Sequence, residues 1–225
     1  GFPLILCGRN SHKLESLNKE LKNKNHIYLS FDQSNLNEVI EASKIVSELK
    51  IKAIIANAGL GGENYFGNDD RWLDIVNTNL NGTYYIIQSF LPQLKNRNTE
   101  FGSIIITSSV LARLGVKNYT AYCASKAGLL GLMRSLAIEH AENKILVNAI
   151  APGWVNTDMA MEGMDGIANH LNITRSQFYD IAMQSVPLKK MSEPQEIAEL
   201  VNYLVQQKSI TGQTIDINNG SIMNS

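Results

Sequence analysis

Short apolar runs alternate with amphipathic stretches through the whole sequence, and that alternation restricts the fold more than any other feature. The runs at 4–7, 26–31, 53–56, 102–107, 146–150 and 214–217 are continuous or nearly so, as in strands buried on both faces. Between them apolar residues recur three or four apart, the spacing of an amphipathic helix. Leu14, Leu17 and Leu21 mark a helix over 11–22, and Val39, Ala42, Ile45, Val46 and Leu49 mark one that opens on Asn35 with Glu38 three residues on, a capping pair. Buried strands joined by helices require right-handed crossovers and a parallel sheet covered on both sides. The expected fold is α/β, a doubly wound parallel sheet, with 1–225 as one domain. Ligands of such sheets bind beyond the carboxyl ends of the strands. Arg9, Asp32, Asn57 to Gly59, Ser109 and Pro152 to Val155 fall there.

Local signals fill in the remainder. Asp69 or Asp70 is expected to cap a helix with Trp72, Leu73 and Val76 inward. A longer helix over 79–97 carries Leu80, Tyr84, Ile87, Phe90 and Leu91, and Pro92 inside it predicts a kink. A helix over 120–141 follows. The stretch 157–186, rich in Met, Gly and Asn, shows helical spacing only at 173–183. Ser192-Glu193-Pro194-Gln195 opens a last helix with a capping box and an early proline.

The 225 residues suffice for one α/β domain with a sizeable core. A formal net charge of -1 excludes a general nucleic-acid or anionic-membrane surface. No apolar run approaches the roughly 20 residues of a membrane span. The two cysteines, Cys7 and Cys123, suit a reducing compartment, and the expected location is cytoplasmic. No metal site is expected.

The stretch from Ile104 to Lys126 carries the chemistry. It reads as a buried strand ending in Ser108 and Ser109, a loop, and a helix opening with Tyr122-Cys123-Ala124-Ser125-Lys126. Residues four apart share a helix face, so the phenol and the ammonium are neighbours. A nearby ammonium favours phenolate, which predicts a lowered pKa for Tyr122 and a proton donor or acceptor near neutral pH. By itself this spacing also fits a half-buried aromatic beside a solvated lysine. Other features stand in register with it. Ser109 lies thirteen residues before Tyr122, Asn57-Ala58-Gly59 ends a strand, Asn79-Leu80-Asn81-Gly82 lies between them, and Pro152-Gly153-Trp154-Val155-Asn156-Thr157 and Ile210-Thr211-Gly212-Gln213 follow.

In this order and spacing the motifs resemble the short-chain dehydrogenase/reductase family, in its single-domain branch. The resemblance implies a Rossmann-like NAD(P)-binding sheet and hydride transfer between a nicotinamide and a carbonyl or secondary alcohol. It implies Tyr122 as general acid/base, Lys126 as the group that lowers its pKa and holds the nicotinamide ribose, Ser109 as the group that orients the substrate carbonyl, and Asn79 as the anchor of a proton-relaying water. Ser109 rather than Ser108 follows from the thirteen-residue spacing. Asn57, Ala58, Gly59, Pro152, Gly153, Val155 and Thr157 would line the cofactor, and Asp32 would face the adenine. Gly8 stands where an acidic residue would select NAD, and Arg9 follows it, so NADP is expected over NAD. Met159, Met161 and Met164 fall in the family's substrate lid. The closing segment is most similar to 3-oxoacyl and polyketide-type ketoreductases. A homodimer or homotetramer is implied, with the helices 79–97 and 120–141 at the interface.

One departure stands out. The family's glycine-rich phosphate turn is absent, and Gly1-Phe2 matches the junction after the family's first helix. A preceding βα unit of about 25 to 30 residues is therefore expected, and without it the sheet would carry a gap between two unpaired strand edges. Two rival readings remain. A non-catalytic dinucleotide-binding scaffold or sensor has no need of Asn79, Ser109, Tyr122 and Lys126 together. An epimerase or dehydratase of the extended branch needs a larger carboxyl-terminal substrate domain than the residues after Lys126 supply.

Overall fold

The computed structural model describes residues 2–21, 25–95 and 101–223. Six strands and eight α-helices alternate among them: β1 (Ile5–Gly8), α1 (Ser11–Glu20), β2 (Ile27–Ser30), α2 (Leu36–Ile45), β3 (Ala53–Ala56), α3 (Trp72–Val76), α4 (Gly82–Lys95), β4 (Gly102–Thr107), α5 (Thr120–Glu139), β5 (Ile145–Pro152), α6 (Asp158–His170), α7 (Arg175–Gln184), α8 (Pro194–Gln206) and β6 (Thr214–Ile217). All strand pairs are parallel. The doubly wound α/β architecture is as the alternation predicts.

The sheet is interrupted. β1 pairs with β2, and β3, β4, β5 and β6 pair in that order, with no ladder between β1 and β3 among the described residues. Each of those two strands therefore presents one unpaired edge, as the departure from the family pattern predicts. One core nonetheless spans both pieces: Leu29, Phe31 and Val39 pack in the same cluster as Ile54, Ile104, Ile106, Val147 and the inner faces of α4 and α5. On the opposite face α8 covers Ile105 and Ile150 with Leu204 and Val205. A smaller cluster, Met164, Ala168, Phe178, Met183, Val186 and Met191, holds α6 against α7.

Several local expectations need correction. The inward residue of α3 is Ile75, whereas Trp72 and Leu73 are exposed, because five residues are too few to fix which face of a helix is buried. Arg71 stands at the start of α3, and Asp70 instead accepts the Trp72 N–H at 2.9 Å from outside the helix. Leu17, Ile45 and Leu49 are exposed, leaving Val39 and Ala42, with Val46 just past the helix end, as the buried side of α2. Pro92 lies inside α4, which continues to Lys95, and a π-helical turn, Asn77–Asn81, that the sequence did not predict joins α3 to α4. Residues 22 and 96–97, the ends of two expected helices, lie outside the described residues.

Residues 158–170 form a helix that weak periodicity concealed. Its signal was Thr157, whose hydroxyl accepts the Ala160 N–H. α8 is capped by Glu193 with Glu196, one residue later than expected. β5 continues through Ala151 and Pro152, which pair with Asp216 and Ile217.

Candidate active site

β4 ends at Thr107, and the chain turns there. Ser108 and Ser109 are both buried, but their hydroxyls go different ways. Ser108 donates to the Lys126 carbonyl at 2.9 Å, deep against α5. Ser109, in extended backbone, accepts the Leu111 N–H at 3.1 Å, and it lies near enough to the Tyr122 phenol to lower its pKa. Alternation along an extended chain sends neighbours to opposite sides, so Ser109 is the serine brought to Tyr122.

Lys126 is 4% exposed, and its Nζ donates to the Thr107 carbonyl at 2.9 Å while lying 5.6 Å from the centre of the Tyr122 ring. The electrostatics differ from the expectation. Burial raises the Tyr122 pKa above its ordinary 10.0, and the neighbouring Ser109 pulls it part of the way back. Burial also pushes the Lys126 ammonium down, to about 8 from 10.5. The four-residue spacing correctly makes neighbours of the two groups, but it carries no information about how deeply they are buried. Desolvation penalises whichever form is charged, so here it outweighs the attraction that the spacing predicts.

Asn79 sits in the π-helical turn, where the Gly82 N–H reaches back to the Asn77 carbonyl. The extra residue in that turn leaves Asn79 fully buried. Its Oδ1 accepts the Leu60 N–H at 2.7 Å, and its Nδ2 donates to the Leu60 carbonyl at 2.9 Å and to Ser125 Oγ at 3.1 Å. The amide is thus committed to protein partners, and a water anchored by this residue would have to sit on its main-chain carbonyl. Asn79 instead ties the loop after β3 to α5. Gly59 fits between them: a Cβ there would stand 3.0 Å from Asn79 Oδ1 and 3.5 Å from Lys126 Nζ. Any larger residue would push the loop off both.

The remaining predicted residues lie along the carboxyl edge of the sheet. Asn57 and Ala58 are exposed at the end of β3, and Asn57 Oδ1 accepts the Thr107 hydroxyl at 3.0 Å. Pro152 closes β5, and the Gly153 N–H donates to Ile217 at 3.1 Å. Val155 bridges to Ser192, which fixes the segment leading to Thr157 at the start of α6. Arg9 and Asp32 lie at the ends of β1 and β2, paired at 3.6 Å with Arg9 60% exposed. Partial burial pushes the Asp32 carboxyl up, but the Ser34 N–H and hydroxyl, with Arg9, outweigh it and hold the pKa below 3.8. Of the three methionines, Met164 is core, Met161 packs beside it, and Met159 is exposed and reaches the loop at Gly61.

Sequence reasoning missed Gln33. Its Nε2 donates to the Thr78 carbonyl at 2.7 Å and to the Ala58 carbonyl at 3.3 Å, joining the turn after β2 to the site. Gly82 permits this approach, since a Cβ there would lie 3.0 Å from the Gln33 carbonyl oxygen. The glycine closing the Asn79-to-Gly82 motif was the available signal, and its partner lies 49 residues away in sequence.

The chain matches the family model for short chain dehydrogenases over residues 1–167. It is 31% identical to the 3-oxoacyl-(acyl-carrier-protein) reductase FabG of Buchnera aphidicola, across 99% of this chain and 88% of that protein. It is also 31% identical to the reductase of the same name from Staphylococcus aureus, across 94% of this chain and 84% of that protein. Among solved structures, an actinorhodin polyketide ketoreductase with NADPH superposes with a TM-score of 0.89 at 27% identity, covering 96% of this chain and 86% of that one. A short chain dehydrogenase family protein from Francisella tularensis superposes at 0.83 with 24% identity, covering 98% and 99%. The chain belongs to the short-chain dehydrogenase family and is an NAD(P)-dependent oxidoreductase.

Proposed function

We propose that this chain reduces the keto group of a 3-oxoacyl thioester with NADPH, Tyr122 supplying the proton. The observation that carries the reading is the Tyr122 phenol, beside Ser109 and above a buried Lys126 at the carboxyl end of β4. With its pKa above 10.0 the phenol carries its proton at neutral pH, as it would unperturbed, and that is the form a proton donor needs. The names of the relatives and the ketoreductase neighbour favour a 3-oxoacyl or polyketide-type substrate.

The residues present fit the cofactor at both ends. At one end Lys126 would hold the nicotinamide ribose, with Asn57, Ala58, Gly59 and the 152–157 segment around it. At the other end Arg9 offers an exposed guanidinium, suited to a 2′-phosphate, and Asp32 would face the adenine. NADPH, when bound, supplies hydride to the carbonyl carbon. Ser109 orients the carbonyl oxygen and stabilises its developing negative charge. As the carbonyl π bond breaks, that oxygen takes the Tyr122 proton, so C–H and O–H bonds form together on the substrate. The Tyr122 phenolate left behind is stabilised by the Lys126 ammonium and recovers its proton from solvent.

No helix of the described residues is long and apolar enough to cross a membrane. We place the enzyme in the cytoplasm, as a single domain that assembles as a homodimer or homotetramer through the exposed sides of α4 and α5, where Tyr84 and Ile138 stand clear of the core.

Tyr122→Phe tests the reading. It removes the proton and keeps the ring, so acetoacetyl-CoA reduction should fall by about 10³-fold while NADPH affinity, read by cofactor fluorescence, stays near that of the parent. Retained turnover would remove Tyr122 from the chemistry. A parent protein that binds NADPH and reduces no carbonyl would favour the scaffold reading instead.

A further inference from the structure

The helix that carries Tyr122 has no cap of its own. Tyr119 stands at the start of α5 and makes no side-chain bond to the first turn. A helix leaves its first N–H groups without partners inside the helix, and a short polar side chain at the boundary normally takes one of them. Here the partner comes from the loop after β3. Asn64, 7% exposed, accepts the Ala121 N–H at 2.9 Å and the Thr120 hydroxyl at 3.0 Å on its Oδ1. Its own N–H donates to the Asn118 carbonyl at 2.8 Å. The other end of the amide, Nδ2, donates at 3.1 Å to Asp70 Oδ1, which also accepts the Trp72 N–H at the start of α3.

One side chain therefore joins three pieces of the site. These are the loop that begins at Asn57 to Gly59, the α3 segment that runs into the π-helical turn holding Asn79, and the first turn of α5. Ala121 is the residue immediately before Tyr122. We infer that Asn64 is a positioning residue for the reaction: through the first turn of α5 it sets where the Tyr122 hydroxyl stands relative to Ser109. The inference rests on Tyr122 being the acid of the proposed reaction.

The site requires an amide. Two donors converge on one end and a carboxylate on the other, so the amide's orientation is set by its neighbours. An aspartate at position 64 would still accept from Ala121 and Thr120 but would oppose Asp70 with like charge. An apolar residue would leave the Ala121 N–H without a partner in a buried position, which is costly. Small displacements of a reacting group have large kinetic effects, about 10²-fold for 1 Å.

The test reverses the polarity of the pair. Asn64→Asp alone, and Asn64→Ala, should lower kcat for NADPH-dependent acetoacetyl-CoA reduction by about 10²-fold with NADPH affinity within about 3-fold of the parent. The double variant Asn64→Asp with Asp70→Asn restores one donor and one acceptor between the two positions. It should recover most of the lost kcat. A second readout needs no substrate: with tyrosine carrying 13C at the phenolic carbon, the Tyr122 resonance is followed against pH. Its titration should move up in Asn64→Asp, as the contact with Ser109 weakens, and return in the double variant. If the double variant folds but remains as slow as Asn64→Asp, or if Asn64→Ala keeps the parent's kcat, the inference is overturned. An unmoved Tyr122 titration in both single variants would overturn it even if the parent reduced no substrate offered. A parent without turnover whose Tyr122 titration moves as expected would instead count against the substrate reading.

Discussion

The two ends of this sheet are built to different standards. β5 is buried at all eight of its residues and β4 at five of six, with a paired strand on each side. β1 has no buried residue and β2 only Leu29. Of the groups proposed for catalysis, Ser109 follows β4, and Tyr122 and Lys126 lie on α5, which packs against the same sheet; Arg9 and Asp32, proposed to face the nucleotide, follow β1 and β2. Proton transfer needs fixed geometry and dry surroundings, because electrostatic effects are strong only where water is excluded. Recognition of a phosphate or an adenine edge works at the surface with a long flexible guanidinium. What joins the halves is specific: Gln33 bonded across to Thr78 and Ala58, and the core shared beneath.

The sharpest form of the comparison is a pair of neighbours. Ile55 of β3 and Ile105 of β4 are register partners, side by side on one face. α8 covers Ile105 completely, and Ile55 is 40% exposed. Ile105→Ala should therefore cost about 2–5 kcal/mol, the usual penalty for emptying a packed isoleucine site. Ile55→Ala should cost less than about 1 kcal/mol, since much of its side chain is already in water. Urea denaturation of the two variants checks this. Equal losses would mean that the face over β3 is covered in solution, and the contrast between the halves would fail at that point.

The catalytic half was also the more legible in sequence. The strands at 53–56, 102–107 and 214–217 have the expected bounds because short β-branched runs there stop at polar turn residues, Asn57, Ser108 and Asn218. Asn79, Ser109, Tyr122 and Lys126 could be picked out because their order and spacing match the motifs of the family. The structure gathers Ser109 and Lys126 at Tyr122, with Asn79 beside Lys126 across Gly59. What spacing could not convey was depth. The sign of the Tyr122 pKa shift depends on burial by segments far apart in sequence, as do the partners of Gln33 and Asn64. α6 escaped notice because its three methionines divide among core, flank and surface, and so trace no single stripe.

The nucleotide half offers a smaller effect. Arg9 is exposed and its pairing with Asp32 is long, so little of the fold depends on it. Arg9→Asp should leave stability nearly unchanged and reverse the local charge. The ratio of kcat/KM for NADPH over NADH should fall by about 10-fold or more, the scale of one lost charge-assisted bond. An unchanged ratio would remove Arg9 from cofactor choice and leave that half without an identified phosphate contact.

The smallest effect separates the halves by pH. His140, just past the end of α5, is 1% exposed; neither ring nitrogen has a hydrogen-bond partner among the described residues, and the Glu139 carboxylate is 3.6 Å away. Burial lowers its pKa below 6.5, Glu139 opposes this, and Lys95 adds to it. The folded protein therefore holds the neutral imidazole, and the unfolded chain takes up its proton first as pH falls. Stability should decline as pH drops through 6.5. Asp32 behaves otherwise. Its folded pKa lies below 3.8, so its contribution is fully present above that value and is lost only as pH falls further, through the folded pKa. Thermal melts across pH should thus show two separate declines. His140→Leu should abolish the first and Asp32→Asn should diminish the second. A His140→Leu protein that still loses stability between pH 7 and 5 would place the sensitive group elsewhere, and the packed half would no longer be the first to feel acid.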